Sequence, residues 1–145
     1  QMSDGASIGA VTSLAFAKEI GRAPLAKIIS FAEVAGPDTS LHLKPAYAIE
    51  LALKKVGLKV SDIDLFEINE AFAAVVAATC TQLKIPLDIT NVNGGAIAIG
   101  HPLGGTGFRL LLTLAKELQR RNARYGVASM CGGGGQGFAV IIERI

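Results

Sequence analysis

The stretch YGVASMCGGGGQGFAVII spans residues 125–142 and places an apolar run on each side of a cysteine and five glycines. The runs at 125–130 and 138–142 have the composition of strands, and the glycines between them suit a turn, so we predict a β-hairpin. Gly132, Gly134 and Gly137 also match the letters G-x-G-x-x-G. That motif binds phosphate only where a helix follows the glycines. Here a strand follows, so we reject the phosphate-binding interpretation.

Outward from this hairpin, strand and helix patterns alternate along the chain, which indicates an α/β fold. Strands are predicted at residues 6–13, 25–34, 63–68, 125–130 and 138–142, and helices at 14–20, 45–56, 70–83 and from Gly105 to about 121. The 145 residues therefore predict one domain, 1–145, with a mixed sheet of about five strands and helices packed on its faces.

The composition is apolar for one domain, because 50% of the residues are hydrophobic and only 18% are charged. The most apolar run, residues 71–80, is too short to span a membrane, and no secretory signal is visible. The formal net charge of +2 is too small to indicate a nucleic-acid partner. We therefore expect no membrane or nucleic-acid binding and a cytoplasmic location.

Residues 71–78 are all apolar within a predicted helix, and a helix that is apolar all round is buried on every side. A single sheet covers only one side of a helix. The second layer must come from elsewhere in this chain or from a partner.

The two cysteines and two histidines do not form a metal pattern, since neither a CxxC pair nor zinc-ligand spacing occurs. We expect neither a metal site nor a disulfide framework. Cys80 lies within an apolar helix and is interpreted as a small buried hydrophobic residue.

Asn69 and Glu70 follow the strand at 63–68 directly, where sites of α/β sheets are built. They have two interpretations. Asn69 could cap the following helix, with Glu70 favourable in its first turn. Alternatively, both residues belong to a functional site.

His101 lies in the glycine-rich segment NVNGGAIAIGHPLGG, residues 91–105. Pro102 stiffens the chain while the glycines let other groups approach closely. An imidazole held there suits proton transfer near neutral pH. A core histidine bonded to the backbone is the alternative.

Cys131 stands at a strand end before the glycines, whose amides no side chain shields. This arrangement suits thiolate chemistry next to an oxyanion site made of main-chain N–H groups. A purely structural hairpin is compatible with that role, because the hairpin would display the thiol. Together, Asn69, His101 and Cys131 near glycine-rich backbone suggest acyl chemistry on a thioester or carbonyl.

Three motifs, at family-like spacing, resemble the thiolases, acetyl-CoA acetyltransferases and 3-ketoacyl-CoA thiolases: NEAFA at 69–73, NVNGGAIAIGHPLG at 91–104 and CGGGGQG at 131–137. SDGAS at 3–7 resembles the start of the family's C-terminal half. The resemblance covers essentially the whole chain. It implies a thiolase-like C-terminal domain and a two-step reaction on coenzyme A thioesters, which are substrates, with no further cofactor.

By this resemblance, Cys131 is the acid/base that exchanges a proton with the α-carbon. His101 matches the histidine that activates a nucleophilic cysteine and helps to form an oxyanion hole. Asn69 matches the residue that holds the water of that hole, and the amide of Gly133 matches a donor of the other hole. The implied partners are coenzyme A, acyl-CoA and an N-terminal thiolase half, and the complete protein is expected to be a homo-oligomer.

The chain also departs from the family pattern. The family's nucleophilic cysteine lies in the N-terminal half, and Cys80 is not in its motif. LKPAYA at 43–48 stands where many members have GPxPA, so acyl preference is left open. We therefore predict that this chain alone is inactive. A non-catalytic fragment or subunit, serving assembly or acyl-CoA binding, is the alternative.

Overall fold

The computed structural model describes residues 3–145, which form a four-stranded sheet with helices on both faces. The helices are α1 (Leu14–Glu19), α2 (Lys44–Val56), α3 (Ala73–Leu83), α4 (Ala96–Ile99) and α5 (Thr106–Arg121). The strands are β1 (Ala26–Ala35), β2 (Leu65–Ile68), β3 (Tyr125–Gly132) and β4 (Gln136–Arg144). Short 3-10 turns occur at Val60–Asp62 and Leu87–Ile89.

The sheet is mixed and has the order β1-β4-β3-β2. β4 is antiparallel to both of its neighbours, whereas β2 and β3 are parallel. The helical crossover from β2 to β3 is the connection that a parallel pair requires. The α/β class, the mixed sheet and the predicted hairpin are confirmed.

Two apolar clusters cover the faces of the sheet. α2 and α3 pack on one face around Ile49, Phe66 and Ile141. α5 packs on the other face through Leu110, Leu114 and Leu118, which are spaced by four residues and so lie on one side of the helix. This arrangement brings the first turn of α5 beside the end of β2.

The prediction of a strand at residues 6–13 is wrong, so the described residues contain four strands rather than five. This segment runs past the start of α5. Ser7 Oγ donates to the carbonyl of Gly105, and Gly9 lies against the Phe108 ring. It has the composition of a strand but does not join the sheet, and Ile8 is 97% exposed.

The third helix begins at Ala73, not at residue 70, and its N-cap is Phe72 with φ of −145°. Of the two interpretations of Asn69, the structure therefore excludes the capping of this helix. Ala73, Ala74 and Ala77 are exposed. The second layer that residues 71–78 require is thus not supplied by residues 3–145.

Candidate active site

The parallel pairing of β2 and β3 brings the ends of these two strands together. Ile68 is the register partner of Ser129, and the Asn69 amide donates to the Ser129 carbonyl at 2.9 Å. Cys131 lies two residues beyond Ser129 on β3. Asn69 and Cys131 therefore stand at the same edge of the sheet, which is where α/β folds place their sites.

The side chain of Asn69 is buried and contacts His101, with Nδ2 lying 3.2 Å from Nε2. On the other side of the ring, His101 Nδ1 lies 2.7 Å from Thr106 Oγ1, whose hydroxyl donates to the Pro102 carbonyl at 2.9 Å. Because that hydroxyl proton is committed to Pro102, Thr106 Oγ1 accepts from His101 Nδ1–H. Nε2 then carries the lone pair and faces Asn69.

The pKa of His101 is lowered from its ordinary value of 6.5, first by burial and second by the positive charge of Arg109. Both effects disfavour the imidazolium. A neutral ring with its lone pair on Nε2 is the form that a general base requires.

Cys131 is 7% exposed, and burial raises the pKa of its thiol above the ordinary value. Burial disfavours the charged form, so the free chain favours the neutral thiol of Cys131. A neutral thiol is a proton donor.

The turn between β3 and β4 requires glycines because it packs closely against the segment before α2. Gly134 and Gly135 have φ of 84° and 83°, a region that side chains disfavour. A Cβ at Gly135 would collide with the Asp38 carbonyl, and Gly36 N–H donates to the Gly135 carbonyl at 3.1 Å. Gly133 lies exposed at the turn, and a Cβ there would meet nothing within 4 Å.

Asn91 and Glu70 hold the site together; the sequence analysis named Glu70 as a candidate site residue but missed Asn91. Asn91 has φ of 48°, and its side chain accepts from the Ile68 amide and donates to the Ile68 carbonyl, both at 2.8 Å. It thereby extends the edge of β2. Glu70 accepts from Asn91 Nδ2 and from the Ile97 amide, both at 2.9 Å, and so anchors the start of α4. The only sequence signal for Asn91 was that it opens the quoted motif at 91–104.

Two open apolar grooves flank the site without including His101 or Cys131. The larger, about 470 Å³, is lined by Ala73, Ala77 and Ile97 and borders Glu70. The smaller, about 220 Å³, lies between α5 and the hairpin, against Phe108 and Met130.

Residues 3–145 hold no cluster of three or more His, Cys, Asp and Glu side chains that could bind a metal ion. Within the same residues, no helix combines the length and the apolar character that a membrane crossing requires.

Comparison with protein families defines the class of this fold and site. The family model described as "Thiolase, C-terminal domain" matches residues 22–144. The chain therefore belongs to the thiolase family.

Individual relatives agree with this assignment. The chain is 48% identical over 145 residues to a "Probable acetyl-CoA acetyltransferase" of Mycobacterium leprae. This match covers all of this chain and 37% of that protein. It is 48% identical over 144 residues to the human "3-ketoacyl-CoA thiolase, peroxisomal", which covers 99% of this chain and 34% of that protein. The chain thus spans about a third of the length of the relatives it matches.

Solved structures give the same result. Human mitochondrial 3-ketoacyl-CoA thiolase superposes with a TM-score of 0.88 and 46% identity, over 92% of this chain and 34% of that chain. The same human enzyme in complex with CoA superposes with a TM-score of 0.87 and 45% identity, over 91% of this chain and 34% of that one.

Proposed function

We propose that this chain is the C-terminal catalytic part of an acyltransferase that makes or cleaves 3-ketoacyl-CoA by Claisen chemistry. The observation that carries the proposal is the contact of Asn69 with His101 Nε2 beside the strand end that bears Cys131. Relatives named acetyl-CoA acetyltransferase and 3-ketoacyl-CoA thiolase support it. Coenzyme A and acyl-CoA are the proposed ligands, and a CoA complex of a related structure supports that choice.

In the cleavage direction, the bond between C2 and C3 of the 3-ketoacyl-CoA breaks. The acyl group moves to the sulfur of a nucleophilic cysteine outside this chain, and His101 Nε2 accepts the proton that this thiol loses. The Cys131 thiol donates its proton to the acetyl-CoA carbanion that departs. A second CoA thiol then gives its proton to the Cys131 thiolate and takes the acyl group, and His101 returns its proton to the sulfur of the released nucleophilic cysteine. Condensation is the reverse.

The oxyanions that form on these thioesters need hydrogen-bond donors already in place. We assign one site to His101 and to a water held by Asn69, and the other to the amide of Gly133. The exposure of Gly133 supports this assignment, because no side chain screens the turn.

We infer that the chain acts with a second polypeptide part, which supplies the nucleophile, and that it is inactive alone. One thiol cannot be both acyl carrier and α-proton acid/base in the same cycle. The exposed alanines of α3 and the exposed Phe108 and Leu112 of α5 support a missing layer. We also propose a homo-oligomer for the complete enzyme and a cytoplasmic location, although two relatives are named peroxisomal and mitochondrial.

The test is thiolysis of acetoacetyl-CoA by the 145-residue chain, alone and with the N-terminal part of a relative added. We expect turnover only in the mixture, with loss of that turnover in Cys131→Ala. Turnover by the chain alone that Cys131→Ala abolishes would show that the nucleophile is misassigned. A mixture that binds acetoacetyl-CoA but never turns over would favour the non-catalytic alternative.

A further inference from the structure

Three buried side-chain polar atoms among residues 3–145 have no hydrogen-bond partner: Glu67 Oε2, Asn69 Oδ1 and Arg109 Nη2. Buried polar groups are normally paired, so each exception needs a physical reason. All three lie in one place, the gap between β2 and the first turns of α5. Their clustering next to His101 indicates that this gap does more than hold the fold together.

The gap is bridged twice, in parallel. Glu67 and Asn69 are two residues apart on extended chain and so share a face, while Thr106 and Arg109 are three apart on α5 and also share a face. One bridge runs from Asn69 through His101 to Thr106, with distances of 3.2 and 2.7 Å. The other joins Glu67 Oε2 to Arg109 Nη1 at 3.6 Å.

We propose that Glu67 and Arg109 are positioning residues for His101. Their contact, with Glu67 Oε2 3.6 Å from Arg109 Nη1, sets the first turn of α5 against the end of β2 and so holds Thr106 against His101. The charge of Arg109 adds to burial in disfavouring the protonated ring. This inference rests on the proposed role of His101 as a base. Neither residue touches the reacting atoms.

The charges around the gap explain why Arg109 acts on His101 although it has a carboxyl partner. The pKa of Glu67 is raised to about 7, chiefly by burial, with Arg109 opposing the rise and Glu70 and Glu117 adding to it. A carboxyl group that is protonated for much of its time does not cancel the charge of its partner. Burial lowers the pKa of His101 most, and the charge of Arg109 adds to that effect.

The experiment is a pH titration of the His101 ring by ¹⁵N NMR, which also identifies the tautomer; the signals of the two histidines are assigned with His42→Gln. Arg109→Gln removes the charge but keeps a donor for Glu67, and Arg109→Lys keeps the charge. Arg124→Gln is the matched control, because Arg124 pairs with Glu143 on the surface before β3. No turnover is needed, so the result is independent of the proposed acyl transfer.

We expect Arg109→Gln to raise the pKa of His101 toward 6.5, and Arg109→Lys and Arg124→Gln to leave it lowered. In an active mixture, Arg109→Gln should also lower kcat by about tenfold to 100-fold with little change in KM, as small misplacements of catalytic groups do. An unchanged His101 pKa in Arg109→Gln, or an equal rise in the control, would overturn the inference.

A second variant covers the case in which Arg109→Gln does not fold. Glu67→Gln removes the carboxylate and keeps the cation, so the His101 pKa is expected to stay below its ordinary value. A rise of that pKa to the ordinary value would show that Arg109 is not the charge responsible.

Discussion

At the scale of single residues, three groups of the site, two of them buried and one half-buried, have pKa values displaced in the direction that keeps each group neutral. Burial lowers the pKa of His101, and it raises those of Cys131 and Glu67. A neutral base can accept a proton, and a neutral acid can donate one, without either group first having to desolvate a charge. Burial at this end of the sheet therefore favours the neutral form of both the proposed base, His101, and the proposed acid, Cys131.

Cys131 should consequently react slowly as a nucleophile in the free chain. We expect its alkylation by iodoacetamide to be slower than that of N-acetylcysteine at pH 7, with the inflection of the pH–rate curve above 9.0. Peptide mass spectrometry separates Cys131 from Cys80, and Cys131→Ala confirms the assignment. An inflection below 9.0 would contradict the neutral-thiol description.

Glu67 should make the stability of the chain depend on pH. Its folded pKa of about 7 exceeds the ordinary value of 4.5, so the folded state retains a proton that the unfolded state loses. Its contribution is fully present below about pH 4.5 and is lost as pH rises through about 7, by about 3 kcal/mol in the free energy of unfolding. Urea titrations of wild type and Glu67→Gln should diverge across this window, whereas Glu143→Gln should follow wild type. Parallel curves for Glu67→Gln and wild type would exclude a raised pKa.

At the scale of elements, the hairpin turn between β3 and β4 contains one glycine needed for packing, Gly135, and one proposed for function, Gly133. Gly135→Ala combines positive φ with a collision against the Asp38 carbonyl, and we expect it to destabilise the chain by more than about 2 kcal/mol. Gly133→Ala meets nothing and should change stability by less than about 0.5 kcal/mol. Thermal unfolding compares the two variants, and equal losses would refute this division.

The elements also show what the sequence could predict. α2 begins with Pro45 in its first turn and ends at Gly57 in the left-handed conformation, as local rules require. Asn69 is a residue type that favours the N-cap position of a helix, but its side chain contacts His101, 32 residues further along the chain. Such long-range contacts leave no periodic trace in the sequence, so they could not be predicted by pattern. The family motifs identified Asn69, His101 and Cys131, whereas Glu67 and Arg109 were missed because their pairing is tertiary.

At the scale of the whole molecule, large apolar side chains remain exposed on the side of the sheet that α5 covers. They include Ile8, Val11, Leu103, Phe108 and Leu112. Residues 6–13, which have strand composition but no strand partner, lie outside the matched family region of 22–144. Exposed apolar surface of this kind is typical of an interaction site, and it is the surface that the N-terminal part in the proposed function would cover.

That surface should make the isolated chain bind apolar dyes or self-associate. We expect the wild-type chain to enhance the fluorescence of an anilinonaphthalene sulfonate dye or to sediment above monomer mass. Leu112→Glu should weaken both effects, because it places a charge on the exposed side of α5, where Leu112 is 49% exposed. Leu51→Glu is the control, since Leu51 is 37% exposed but lies on α2, on the opposite face of the sheet. The same pair of variants tests assembly: with an N-terminal part added, Leu112→Glu should lose complementation while Leu51→Glu keeps it. A wild-type chain that sediments as a clean monomer without dye binding would show that no layer is missing.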